Sequence, residues 1–446
     1  MPNCARYYNE SMNTQSFKNR RDKLLQQMGT GIAIIPTAPE KFRNSDATYP
    51  YRADSYFHYL TGFPEPEAVL MLIAGETPKS MLFCREKNPE REIWDGFRYG
   101  PEGAAEIFGF DEACSIDTLT DKLAELFANQ PALWYSLGFD AEWDARITAA
   151  LNTVRGQTRA GKHAPTAIRD VRALINEMRL VKDAAEIDTM RRAATITAGA
   201  HRRAMSAARP GVFEYEIEAE LLHEFRRHGS QYPAYTSIVA AGANACVLHY
   251  IENNKRITDG DLILIDAGCE LDGYASDVTR TFPVNGHFSG PQADIYNLVL
   301  AAQDAAVATI KPGAGFNDPH DAAVRVLAQG MLDLKLLSGS LDAVLESESY
   351  KRFYMHRTSH WLGIDVHDAG EYKDGEAWTA LTPGKMLTVE PGCYIRPADD
   401  VPKTFWNIGV RIEDDALVTE QGCEFITSGA PKTIADIEAL MRDARK

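Results

Sequence analysis

The stretch Gly260-Asp261-Leu262-Ile263-Leu264-Ile265-Asp266-Ala267-Gly268 decides the reading of this chain, because a distant stretch repeats its design. The second copy is Gly384-Lys385-Met386-Leu387-Thr388-Val389-Glu390-Pro391-Gly392. Each runs from a glycine and a charged residue through four mostly apolar residues to a carboxylate, a small or rigid residue and another glycine. A short apolar run bounded by turn formers predicts a buried strand, and the carboxylate falls where that strand enters its turn. A single Asp in such a place could simply satisfy turn amides. Two matched copies predict pseudo-symmetric halves that face one site.

Further carboxylates follow each copy. Asp277 comes after Asp266 across the turn-prone Asp272-Gly273, so a hairpin would return it beside its partner. Glu413 follows Glu390 inside Ile408-Gly409-Val410-Arg411-Ile412-Glu413-Asp414-Asp415, where strand alternation would put Arg411 and Glu413 on one face with Gly409 and Asp415. Four converging carboxylates without compensation would repel one another and weaken the fold, so positive charge must sit among them. Histidines cluster nearby: His356, His360 and His367 fall within twelve residues, and His249-Tyr250 precedes the first carboxylate strand. One imidazole with four carboxylates would charge-balance two divalent cations. Such an oxygen-rich set favours Mn²⁺, Co²⁺ or Zn²⁺ over a thiolate-type structural zinc.

The rest of the chain sets the frame. Its 446 residues suggest two or three domains of ordinary globular composition, 45% hydrophobic and 25% charged. A formal net charge of −16 argues against a phosphate-gripping basic face, so no nucleic-acid partner is expected. The seven cysteines are scattered without a C-x-x-C pair, which fits a reducing compartment and makes cytoplasm the default. No apolar run is long enough for a signal peptide or a membrane span. Asn9-Glu10-Ser11 matches a glycosylation sequon but carries no weight without secretion.

The first half reads as mixed α/β. Helical character is expected over Gln15 to Met28, with strands at Gly31–Pro36 and Ala68–Ile73 and a domain end near residue 173. From Asn176 a helical stretch begins and restarts at Asp183, whose side chain can cap a helix with Glu186 three positions on. Glu214 to His228 reads as a further helix with Ile217, Leu221 and Phe225 on one stripe and Gly229 after it. That helix holds a decoy, His223-Glu224-Phe225-Arg226-Arg227-His228. Its two histidines are five apart rather than four, so they point to different faces and do not form the H-E-x-x-H zinc motif.

Five segments together carry a resemblance. Ile265-Asp266-Ala267-Gly268-Cys269-Glu270, Gly273-Tyr274-Ala275-Ser276-Asp277-Val278-Thr279-Arg280, Thr358-Ser359-His360-Trp361-Leu362-Gly363, Val389-Glu390-Pro391-Gly392 and Val410-Arg411-Ile412-Glu413-Asp414-Asp415 resemble those of the Xaa-Pro aminopeptidases. The likeness reaches the first domain through Tyr49-Pro50-Tyr51-Arg52, Leu60-Thr61-Gly62-Phe63 and Glu65-Pro66-Glu67-Ala68. It implies an α/β (α+β) chain, with a creatinase-like domain over 1–173 followed by a pseudo-symmetric pita-bread catalytic domain over 174–446. It also implies two divalent metals, most often Mn²⁺, holding a bridging water or hydroxide. Asp266 would chelate one metal, Asp277 and Glu413 would bridge both, and His360 with Glu390 would complete the other.

By the same resemblance His249 and His367 would bind substrate and stabilise the tetrahedral intermediate, with His356 a further substrate-binding candidate. Arg411 and Tyr394 would hydrogen-bond around the metals. Trp94 resembles an aromatic that enters a neighbouring subunit's site in tetrameric members, and is otherwise read as a core aromatic. A homo-oligomer, dimer or tetramer, is therefore implied. One departure stands out: many members have Gly after the histidine matching His356, whereas this chain has Arg357, which could reach a substrate carboxylate or turn to solvent.

The activity so implied is hydrolysis between an N-terminal residue and a following proline in peptides. Glu390 would take the proton from the attacking hydroxide and pass it to the proline nitrogen, and His249 or His367 would donate to the oxyanion. A prolidase acting on Xaa-Pro dipeptides would use the same five ligands and is the alternative. A metal-free creatinase-like hydrolase or an inactive peptide-binding module should have lost ligands that this chain keeps.

Overall fold

Residues 14–446 are described by the structure, a computed structural model. Cys4 and the Asn9 sequon lie outside the described residues. The chain packs as two compact units, one ending at Met178 and the other running from Arg179 to Lys446. The boundary expected near residue 173 falls inside a helix, Arg172–Leu180.

The first unit is built on a six-stranded sheet of β1 (Gly31–Pro36), β2 (Val69–Ala74), β3 (Lys79–Cys84), β4 (Glu112–Ser115), β5 (Ala132–Trp134) and β6 (Ala167–Arg169). Their spatial order is β4-β3-β2-β1-β5-β6. The three central strands pair antiparallel, Ile32 opposite Ile73 and Met71 opposite Met81. The outer pairings are parallel, which requires crossover helices and leaves both sheet faces covered. Ile32 and Ile34 accordingly pack with Leu123, Phe127, Leu151 and Val154, while Ala33 and Ile35 are also buried on the opposite face.

In the second unit the helix Ala184–Ala207 starts where the sequence predicts: Asp183 accepts from the amides of Ala185 and Glu186, and Glu186 returns the bond to the Asp183 amide. The helix Glu214–Arg227 buries Ile217, Leu221 and Phe225, and Gly229 follows at φ +93°. Small sheets come next: β7 (Tyr232–Pro233), β8 (Ile238–Ala241), β9 (Leu262–Asp266), β10 (Cys269–Leu271), β11 (Tyr274–Ala275) and β12 (Thr279–Pro283). β9 lies between β8 and β12, both antiparallel to it, with Asp266 opposite Thr279. The predicted hairpin is present, with Leu271 opposite Tyr274 and positive φ at both Asp272 and Gly273, as a tight two-residue turn demands.

The second half repeats this plan. After the short hairpin of β13 (Lys373–Asp374) and β14 (Ala377–Trp378) come β15 (Met386–Val389), β16 (Gly392–Ile395), β17 (Ile408–Arg411), β18 (Asp414–Thr419) and β19 (Gly422–Phe425). β15 pairs antiparallel with β18, Val389 opposite Asp414, and β16 pairs with β17, Gly392 opposite Arg411. The segment 408–415 is thus not one strand, as alternation suggests, but two, broken at Ile412 and Glu413. Gln303, from the buried face of the helix Gly290–Val307, donates to the carbonyls of Val389 and Ile412 and to Asp414 Oδ2. A side chain therefore satisfies backbone acceptors that the interrupted ladder leaves open.

Candidate metal centre

β9 and β15 each end on a carboxylate, and each has a neighbour that brings a second one back. Asp266 closes β9, and Asp277 stands two residues before β12. Glu390 follows β15, and Glu413 sits in the break before β18. His360 precedes Trp361, which is bridged to Leu387 of β15. One atom from each of Asp277, His360 and Glu413 can be chosen so that all three lie within 4.8 Å of one another. His360 Nε2 is 3.4 Å from Asp277 Oδ2 and 3.6 Å from Glu390 Oε1. Tyr235 Oη joins the rest, 2.6 Å from Asp266 Oδ1 and 2.5 Å from Asp277 Oδ1. The structure thus brings all five predicted ligand residues into the lining of one cavity.

The electrostatics support a cation site. Burial first, and then neighbouring carboxylates, push Glu413 well above the usual carboxylate range, and burial lifts Glu390 to about 7. Asp266 is also raised by burial, although Arg411 opposes the shift. Burial works against Asp277 too, yet a hydrogen bond from His360 and its charge hold Asp277 below its ordinary value. His360 in turn is raised to about 9 by Asp277 and Glu390 against the effect of burial. The single proton of Tyr235 cannot serve both carboxylates it touches. Four buried acids beside one arginine and one imidazole leave negative charge that a divalent cation would neutralise, so the residues fit a metal. His360 Nδ1 lies 2.9 Å from the Trp361 carbonyl, and a proton there leaves Nε2 as the nitrogen that would hold the ion.

A ring of supporting contacts fixes these groups. Arg411 Nη2 donates to Asp266 Oδ2 at 2.6 Å, its Nη1 to Tyr394 Oη at 2.9 Å and its Nε to Thr279 Oγ1 at 3.1 Å. Thr279 donates onward to Glu413 Oε2 at 2.6 Å. Asp415 accepts from Ser276 Oγ and from the Asp277 amide. Thr388 accepts from the His360 amide at 3.1 Å, and its hydroxyl lies 3.4 Å from Glu390 Oε1. Sequence reading missed Tyr235, Thr279 and Thr388, because an isolated hydroxyl has no spacing signal.

The cavity has a volume of about 690 Å³, and its lining comes entirely from the second unit. His249, His356 and His367 all line it, with the His367 ring edge-on to His360 at 4.3 Å. His356 is held neutral, its basicity lowered to about 3 by burial and by Arg411, and its Nε2 lies 2.8 Å from Tyr394 Oη. Tyr394 thus acts through Arg411 and His356 rather than from the cavity wall. Trp94 belongs to the first unit, on the helix Pro89–Asp95, and is 82% exposed, so the reading of a core aromatic is wrong. The decoy histidine His228 caps its helix against Glu224 and stays outside the cavity lining.

Two family models match the chain: "Metallopeptidase family M24" over residues 188–420 and "Aminopeptidase P, N-terminal domain" over residues 17–134. The chain is 44% identical over 435 residues to the Xaa-Pro aminopeptidase of Escherichia coli, covering 97% of this chain and 98% of the relative. Its structure superposes on an aminopeptidase of Pseudomonas aeruginosa with a TM-score of 0.96 at 51% identity, covering 97% of this chain and 99% of the other. It matches zinc-substituted aminopeptidase P from E. coli in complex with product at a TM-score of 0.96 and 44% identity, covering 98% and 100%.

Proposed function

This chain belongs to metallopeptidase family M24 and carries the N-terminal domain of aminopeptidase P; from that premise we propose how its own residues conduct the reaction. The protein is a metal-dependent aminopeptidase that hydrolyses the bond between an N-terminal residue and a following proline. The observation that supports the assignment of residues is that Asp266, Asp277, His360, Glu390 and Glu413 line one cavity, with Asp277, His360 and Glu413 close enough to share an ion. These five would hold two divalent ions. Ions so bound supply Lewis acidity that makes a water nucleophilic near neutral pH and polarises the scissile carbonyl.

The side chains do the rest. Glu390 accepts a proton at its carboxylate and delivers it to the proline nitrogen as that nitrogen departs. His249 and His367, both at the cavity wall, donate to the oxygen on which charge develops. Arg411 keeps Asp266 oriented and, through Tyr394, fixes the ring of His356, which contacts the substrate. Aromatic and aliphatic walls at Phe316, Trp378, Ile238 and Leu248 keep water from competing.

We infer Mn²⁺ as the working ion, supported by a donor set of four carboxylates and one imidazole; Co²⁺ or Zn²⁺ would also fit such a set. A reducing compartment, the cytoplasm, is supported by the six described cysteines, none of which forms a disulfide. No helix among the described residues is long and apolar enough to cross a membrane. A homo-oligomer is supported by the exposed cluster of Ile93, Trp94 and Phe97. The decisive assay presents an Xaa-Pro-Yaa tripeptide, the matching Xaa-Pro dipeptide and an Xaa-Ala-Yaa control. Release of the first residue from the tripeptide alone, lost with a chelator and regained with Mn²⁺, is expected. Full turnover by metal-stripped protein would overturn the reading.

A further inference from the structure

Arg357 occupies the position after His356, lines the same cavity, and brings a permanent positive charge to it. Among the described residues its guanidinium makes no ion pair; it rests 5.0 Å from the centroid of the Trp378 ring. The cavity's other arginine, Arg411, is committed to Asp266, Tyr394 and Thr279. Resting on the peptidase reading above, we propose that Arg357 binds a carboxylate on the leaving side of the scissile bond, one residue past the proline.

The side of the bond follows from its neighbours. The Arg357 carbonyl is 2.7 Å from His356 Nδ1, and that nitrogen is 3.7 Å from Glu390 Oε2. Glu390 is where the departing nitrogen collects its proton, so the backbone of Arg357 begins beside the leaving group. Its side chain then runs along the wall to Trp378, which packs against Phe316 at 6.3 Å. The guanidinium therefore lies farther along the cavity than the backbone beside Glu390, on the side that the residues after proline would occupy.

The chemistry of the pocket selects a carboxylate. A guanidinium stacked on an aromatic ring loses rotamer freedom yet keeps its N–H fork at the plane's edge, where a carboxylate can take two parallel hydrogen bonds. Lys373 also lies 4.5 Å from the Trp378 centroid, adding positive potential at this end although it does not line the cavity. Two sources offer such a group at this position: the free C-terminus of a tripeptide, or an acidic side chain in a longer peptide. The first makes the protein an enzyme tuned to short peptides.

The test measures kcat/KM for a tripeptide Xaa-Pro-Ala, its C-terminal amide, and the amide pair Xaa-Pro-Glu and Xaa-Pro-Gln, using the metal-loaded full chain and the variants Arg357→Gln and Arg357→Lys. The free acid is expected to exceed its amide by about threefold to tenfold, chiefly through KM. That ratio should fall to near one in Arg357→Gln, recover in part in Arg357→Lys, and shrink for the unaltered chain at high salt. The Glu-to-Gln ratio shows whether a side-chain carboxylate is taken as well as the terminus. Equal kcat/KM across both pairs, or a preference that survives in Arg357→Gln, overturns the proposal while leaving the peptidase reading intact. Failure to cleave any of the four peptides overturns both.

Discussion

Thr279 carries no charge, yet it connects two charged groups of the centre, donating to Glu413 and accepting from Arg411. Thr279→Val keeps the shape and removes both bonds, and about a 10-fold to 100-fold loss of metal affinity is expected. Titration with Mn²⁺ followed by activity and calorimetry measures it, with circular dichroism confirming the fold. His360→Ala or Asp277→Ala should abolish hydrolysis outright in protein that still folds, and near-normal turnover in either would refute the ligand set. Gly268 shows the same reliance on exact neighbours. It is predicted as a turn former, but a Cβ there would lie 1.6 Å from the Ser276 carbonyl oxygen, so the residue serves close approach across the hairpin.

At the scale of elements, the loop between His360 and Asp368 presents two histidines to the cavity and has little regular structure of its own. Its far end is clamped. Asp368 accepts from Arg179 at 2.5 Å and from Lys182 at 2.9 Å, and all three side chains are 1% exposed. Burial opposes ionisation of Asp368, but the two cations more than offset it and hold its pKa below the ordinary value. A depressed folded-state pKa gives stability that is present above about pH 4 and lost as pH falls through the lower folded value. Asp368→Asn would remove the carboxylate charge that Lys182 and Arg179 share, while Arg179 keeps Asp365 at 2.7 Å, and should destabilise by about 3–5 kcal/mol, read from urea unfolding at pH 7. The gap between variant and parent should narrow in acid. An equal gap at every pH would show that packing, not charge, is the larger part.

At the scale of the molecule, two compact units with separate cores should not unfold in one step. Because the candidate ligands all lie in the second unit, chelation is expected to lower one calorimetric transition by several degrees and leave the other in place. If Ile93, Trp94 and Phe97 form a contact between copies, Trp94→Ala should lower the mass seen by light scattering; an unchanged mass would refute that contact. The repeated strand design, the caps at Asp183 and Gly229 and the carboxylates and histidines that line the cavity were legible in the sequence, because apolar runs, cap chemistry and turn residues act over a few neighbours. The break at Ile412–Glu413 was not, because alternation continues through it, and Gln303 from a helix more than a hundred residues earlier satisfies the interrupted ladder. The hydroxyls of Tyr235, Thr279 and Thr388 were equally silent. What the sequence alone determined is the pair of strands that must end on carboxylates and the need for positive charge between them. Only the tertiary structure decided which hydroxyls share those carboxylates and where Arg357 points, since burial and hydrogen-bond partners arise when distant segments meet.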